Sequence, residues 1–419
     1  MLADILLTLP ILLVFLLTAA RCLLPASGGD SGEGERHIPA RAELMKVFAL
    51  ALLFRVFMLG VMFLCSMLFG GDSGLDSFPG KFTHWDARHY INLIDQGYTD
   101  YMEDGQHLFL VFYPMYVWAA RLVRLIIPNT AAAGLAVSFL SYAGGCCCVY
   151  RIAAERLSRQ TARDSLILMS LFPFSFFFGT VMTEGLFLLT TSAACYYAMK
   201  GRWLLYGIWG ALAALTRMTG ILVIVPAAVE LLRTLRPLEE PVGQSLKRTA
   251  LGLLKKLPAL LMPLLGAGGY LLLNLYVDGD PMAFTRHQQH WHQGGMWISR
   301  VLRYLWEYFL GNITDANGCA IWLPELVLFV LGFALLVLAL RRRDMPESLI
   351  AYAFCCLFAC YSLSWLLSAG RYMSCCFPMF IFGARLMEGR PKLRQGVFTA
   401  GAVLLGVYLC AYLSGAQVM

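Results

Sequence analysis

IWLPELVLFVLGFALLVLAL, residues 321–340, is a run of twenty residues carrying a single charge. At about 1.5 Å of rise per helical residue, it matches the roughly 30 Å hydrocarbon core of a bilayer. Leu349–Leu367 and Val397–Leu413 repeat the pattern. The whole chain follows suit. Of 419 residues, 59% are hydrophobic and 14% charged, where soluble domains carry roughly 25% charged residues. The mean hydropathy is +0.66. These runs predict an all-α polytopic membrane protein. The short alternating strands of a membrane barrel are missing from the sequence.

Thirteen cysteines fall mostly inside apolar runs, as in Cys146-Cys147-Cys148, Cys355-Cys356 and Cys375-Cys376, where they act as small hydrophobes. No loop holds a spaced pair, so neither a disulfide framework nor a zinc site is indicated. The net charge of +7 reads as membrane topology rather than nucleic-acid binding, because the bases cluster in short loops. Leu2–Ala20 lacks a basic start and carries Asp4, so it is expected to be a first membrane helix rather than a cleaved signal.

Bases accumulate on cytoplasmic loops. Residues 151–164 hold four arginines against Glu155 and Asp164; residues 233–256 hold six bases against two acids; Arg341-Arg342-Arg343 and Glu388–Arg394 are also basic. Residues 72–107 carry seven acids against Lys81 and Arg88, which assigns them to the exoplasmic or lumenal face. Helices near 2–20, 44–70, 131–150, 164–180, 183–199, 203–216, 218–233, 257–277, 321–340, 347–367, 371–387 and 397–416 make twelve crossings and put every basic loop on one side. Ten to twelve membrane helices are expected. The scheme requires that Phe109–Ile127 not span, and Pro114, Arg121 and Arg124 favour an interfacial or re-entrant helix there.

With this numbering the noteworthy polar residues gather at the exoplasmic ends. They include Asp86 and His89 in THWDARHY (83–90), Glu184 in VMTEGLF, Arg217 in LTRMTG, the stretch DGDPMAFTRHQQHWH (278–292) and Arg371 in SAGRYMSCCFP. Each has a bland reading. Thr83-x-x-Asp86 fits a capping box, although capping needs no His89, which shares a helical face with Asp86. Glu184 lies near a helix N-terminus, where the dipole favours an anion. Arg217 fits a snorkelling arginine. Arg371 begins a helix, where a cation opposes the dipole, which calls for an anionic ligand. Trp291, Trp297 and Trp306 read as interfacial anchors.

One chemistry uses this set. Transfer of a sugar from a polyprenyl phosphate has a leaving group that is already a weak base. It needs one carboxylate to take the acceptor's proton and cations to hold the departing phosphate. Direct attack with one carboxylate inverts the anomeric carbon. Asp86 supplies the base, and Arg371 with Arg217 the cations. No divalent metal and no cofactor is required.

The residues resemble the GPI mannosyltransferase II (PIG-V) family of the GT-C glycosyltransferase superfamily. HWDARHYINLIDQGY resembles its Trp-Asp-x-x-His motif. FYPMY (112–116), PFSFFFGTVMTEGLF, GALAALTRMTG, GDPMAFTRHQQHW and RYMSCCFP follow in the family's order across roughly residues 80–380. The resemblance implies a GT-C-type helical bundle over residues 44–419 behind an N-terminal helix and cytoplasmic loop (1–43). Its exoplasmic loops would lie at about 71–130 and 278–318. It implies catalytic roles for Asp86, His89 and Glu184 and substrate-binding roles for Trp85, Arg217, Arg371, Tyr372 and Gln288. The implied partners are a polyprenyl- or dolichyl-phosphate sugar donor, a glycolipid or lipid-linked acceptor, and membrane lipids. The membrane would be the plasma membrane of a bacterium or the endoplasmic reticulum of a eukaryote. A multi-pass transporter or lipid flippase is the competing class, and it calls for charges near the bilayer midplane. A non-catalytic scaffold subunit is a third.

Overall fold

The computed structural model describes residues 2–23, 36–69, 84–235, 242–315 and 317–418. Thr83, Asp72, Asp76 and Lys81 of the acidic loop lie outside them, as do Arg236, Glu239 and Glu240. The described residues hold no β-strand, only isolated bridges at Glu103–Gln106 and Gly295–Leu363. The helices are α1 (Leu2–Leu23), α2 (Arg41–Phe69), α3 (Asp86–Asp95), α4 (Pro114–Arg124), α5 (Thr130–Arg156), α6 (Arg159–Ser170), α7 (Glu184–Met199), α8 (Trp203–Thr216) and α9 (Ile224–Leu235). They continue with α10 (Val242–Asp278), α11 (Ala283–His287), α12 (Ile298–Gly311), α13 (Leu323–Arg341), α14 (Glu347–Cys360), α15 (Ala369–Ser374), α16 (Phe377–Met387) and α17 (Pro391–Leu413).

Among the described residues, seven helices are long and apolar enough to cross a membrane, and α8, α14 and α16 are shorter apolar helices. This is an all-α polytopic membrane fold. Helix α5 is its central post, packed against α7, α6, α2 and α4, while α8 joins α7 to α10 and α14 meets α9. Glycines and cysteines let these helices approach closely, since in a membrane it is packing rather than water exclusion that joins them. At Gly185, on α7, an added Cβ would lie 2.5 Å from the carbonyl oxygen of Ser138 on α5.

Three helices expected to be continuous are broken. The run 164–180 stops at Ser170 and resumes as a 3-10 turn over Ser175–Gly179. Pro173 has no N–H for the helical ladder and clashes with the preceding turn. The run 371–387 divides into α15 and α16, with Pro378 in the first turn of α16. The run 347–367 ends at Cys360, and Ser362 and Ser364 instead pair with the 294–296 backbone.

Side-chain pairs define the two ends of the bundle. At one end Glu43 bonds Tyr150 and Arg159, Glu230 bonds Arg156 and Ser348, Glu347 meets Arg21 and Arg233, and Asp344 binds Arg342 and Arg385. All four basic loops of the sequence join this end. The paired arginines hold the Asp344 carboxyl down at about 2 against its burial. At the opposite end Asp95 accepts from Thr130 at 2.6 Å and pairs with Arg124, and Arg286 pairs with Asp278. The segment 109–127 holds no helix long and apolar enough to be a candidate span. It forms the eleven-residue α4, tied by Arg121 to the carbonyl of Ile94 (2.8 Å). Tyr116 of α4 bonds Gly134 and Ser138 of α5. Helix α12 is amphipathic, burying Ile298, Val301, Leu302 and Leu305 and exposing Trp306 and Tyr308.

Candidate active site

The site gathers where the broken helices end, between α3, the start of α7, the end of α8 and α15. Helix α3 starts at Asp86, immediately after a reversal at Trp85, whose backbone has φ 51° and ψ −129°. A non-glycine residue there is strained by about 1–3 kcal/mol. The start is held by backbone bonds from Ala87 and Arg88 to the carbonyls of His84 and Trp85, both 3.2 Å, and Trp85 at the N-cap makes no side-chain cap. Asp86 is the first residue of the helix, and Thr83, the other member of the capping box read in the sequence, lies outside the described residues.

The reversal turns Asp86 toward Arg371. The Arg371 guanidinium donates through Nη1 to the Asp86 carboxylate and through Nε to Glu184 Oε1. Arg217 reaches the same Glu184 oxygen through Nη2 and donates through Nε to the Thr183 hydroxyl at 2.7 Å. Two carboxylates and two guanidiniums thus form one chain of zero net charge. Buried charges persist only in such pairs. Glu184 is fully buried, and its Oε2 has no hydrogen-bond partner among the described residues. The Asp86 side chain keeps 30% of its exposure, against 5% for Arg371. Aromatic faces flank the cations: Phe177 lies 5.6 Å from Arg371, and Phe187 and Tyr372 lie 5.5 and 5.8 Å from Arg217.

Asp86, Arg217 and Arg371 open onto a cavity of about 480 Å³. Its inner wall is Phe187, Cys356, Cys360, Cys375 and Cys376; its outer wall is Tyr113, Gln288, Trp291 and Gln293. This is the size and mixed character of a small-molecule site. Tyr90, one turn along from Asp86, also lines it. Burial pushes the Tyr90 phenol up, so it stays protonated at neutral pH.

The expected residues divide accordingly. Asp86, Arg217, Arg371, Tyr372 and Gln288 line the cavity. His89 does not: its Nδ1 lies 3.0 Å from the Tyr101 hydroxyl and its ring stacks on Phe109 at 4.7 Å. Burial lowers its pKa, which favours the neutral ring. Trp85 packs on Tyr412 at 5.2 Å behind α3. Glu184 lies behind the arginines. Arg217 is buried in the cluster and does not snorkel, and the anions that Arg371 calls for are Asp86 and Glu184. Trp291, expected as an interfacial anchor, forms part of the wall and meets Phe112 edge-on at 6.3 Å. Thr183, Tyr113 and Gln293 were not singled out by the sequence. For Thr183 the only signal was its place before Glu184.

The all-α fold has a counterpart among solved structures. The crystal structure of ArnT from Cupriavidus metallidurans, bound to undecaprenyl phosphate, matches with a TM-score of 0.51 at 14% identity, covering 91% of this chain and 77% of that one. The archaeal oligosaccharyltransferase AglB from Archaeoglobus fulgidus, in complex with an inhibitory peptide and a dolichol-phosphate, matches with a TM-score of 0.44 at 14% identity over 90% of this chain and 56% of its own. In sequence, residues 113–261 match the family model of dolichyl-phosphate-mannose-protein mannosyltransferases. No curated protein matches the chain.

Proposed function

We propose that this protein transfers a mannosyl or related hexosyl residue from a polyprenyl- or dolichyl-phosphate sugar to a lipid-linked or glycolipid acceptor, with inversion. The observation that carries the reading is the cavity wall on which a half-open carboxylate, Asp86, stands beside two guanidiniums. The acceptor hydroxyl gives its proton to Asp86 as its oxygen bonds to the anomeric carbon. The bond from that carbon to the phosphate oxygen breaks, and its electron pair leaves with the phosphate. Arg371 and Arg217 hold that growing charge through their remaining N–H groups, already oriented by Glu184 and Thr183. Glu184 serves as their counter-ion, and His89 steadies α3 through Tyr101. The lipid phosphate held by ArnT is the class of carrier assigned here to the donor. The order of motifs along residues 80–380 supports a GPI mannosyltransferase II-like acceptor, and residues 44–419 form the catalytic unit.

The test is direct. Purified protein should release labelled mannose from polyprenyl-phosphate mannose into a glycolipid fraction, with inversion at the anomeric carbon. Substrate passing across sealed vesicles without loss of its sugar–phosphate bond is the result that favours the transporter class.

Sidedness follows from the charges. We assign the acidic end, with the cavity, to the exoplasmic or lumenal face. Single cysteines at Asp100 and Arg286 should react with an impermeant thiol reagent in intact cells, and one at Lys247 only after permeabilisation. The reverse pattern would turn the molecule over and place the donor on the cytoplasmic leaflet.

A further inference from the structure

We propose that Glu325, buried in the membrane helix α13, is a positioning residue for Arg371. Only 3% of Glu325 is exposed, and both its oxygens accept from one group, the backbone N–H of Ala369, at 2.9 and 3.1 Å. Ala369 is the first residue of α15, and Arg371 is the third. Such a short helix has donors at its start with no intrahelical partner, and Ser368 before it makes no side-chain cap. Glu325 supplies the missing acceptor across the bundle.

The backbone of Glu325 is itself fixed. The Tyr361 hydroxyl donates to the Glu325 carbonyl at 2.6 Å, joining α14 to α13. On the other side of the same turn Gly370 abuts Phe174, where an added Cβ would lie 2.5 Å from the ring. The backbone that carries Arg371 is therefore held between Phe174 and Glu325. An acid inside a membrane helix is costly, and a leucine would fill its volume. Its use here is to set the register of α15, so that one guanidinium reaches Asp86 and Glu184 together. A shift of about 1 Å at such a site is enough to cost about 100-fold in rate.

The effect on donor use rests on the glycosyl-transfer reading; the anchoring of α15 does not, and the experiment separates them. Hydrogen–deuterium exchange on the full chain in nanodiscs follows the amides of 369–373. Glu325→Leu should speed their exchange while leaving α5 and α7 unchanged, and Glu325→Gln, which retains a carbonyl acceptor, should restore slow exchange. With undecaprenyl-phosphate mannose, Glu325→Leu should lower kcat/KM about 10-fold, the value of one charge-assisted hydrogen bond between Arg371 and the donor phosphate. In an Arg371→Lys background the same change should add less than about twofold, because the group it positions is already altered. Unchanged exchange in Glu325→Leu overturns the proposal, as does a glutamine variant as impaired as the leucine. A full, multiplicative loss in the Arg371→Lys background also overturns it. If the leucine variant does not fold, Glu325→Asn, too short to reach Ala369, takes its place. A chain that transfers no sugar yet shows the exchange pattern keeps the anchor and loses the glycosyl-transfer reading.

Discussion

Asp86→Asn should insert and fold normally and transfer sugar at least about 100-fold more slowly than the natural chain, because general-base catalysis contributes roughly 100- to 10,000-fold. Asparagine keeps an oxygen for the Arg371 guanidinium, so α3 stays in place. The lost charge pairing belongs to a partly exposed carboxylate. Arg371 also retains Glu184. Asparagine cannot take the acceptor's proton. Single-turnover transfer from preloaded donor measures this loss separately from binding. Near-normal turnover, with a lowered melting temperature, would return Asp86 to a purely structural role at the start of α3.

Glu184→Leu should show the opposite balance, a loss of folding before any loss of chemistry. It removes the carboxylate that touches both arginines and leaves Arg217 with the Thr183 hydroxyl as its side-chain hydrogen-bond partner among the described residues. Breaking a buried ion pair by deleting one partner costs about 3–5 kcal/mol, enough to lower folded yield and the melting temperature in detergent. Glu184→Gln keeps the shape and loses the charge, and it should fall between the two. Thermal unfolding followed by size-exclusion retention gives the comparison. A leucine variant that melts normally and yet transfers nothing would place Glu184 in the reaction itself.

The sequence made some of this arrangement plain and hid the rest, for physical reasons. Long apolar runs and lopsided loop charges have no reading other than a helical bundle with two unlike ends, and Asp86, Arg217 and Arg371 stood out because charges in such a chain are rare. The flank of α3 that faces the cavity was not legible. His89 and Tyr90 stand three and four residues after Asp86, on either side of it, and periodicity alone does not choose between them; the Trp85 reversal chooses Tyr90. Breaks at Pro173 and Pro378 were passed over because hydrophobicity runs through them undiminished. Trp291 followed the aromatic-belt pattern, and only the pairing of Gly294 with Ser364 bends its loop over the cavity.

The reversal at Trp85 also bears on how this protein can be engineered. Glycine adopts that backbone geometry without a steric penalty, so a screen for thermal tolerance would be drawn to position 85. Trp85 also fills the space between α3 and Tyr412, and a glycine would leave α3, which carries Asp86, free to rock against α17. Hardiness and turnover are thereby set in opposition at a single residue. Variants chosen for ease of purification are the ones in which the Asp86 carboxylate is least firmly aimed.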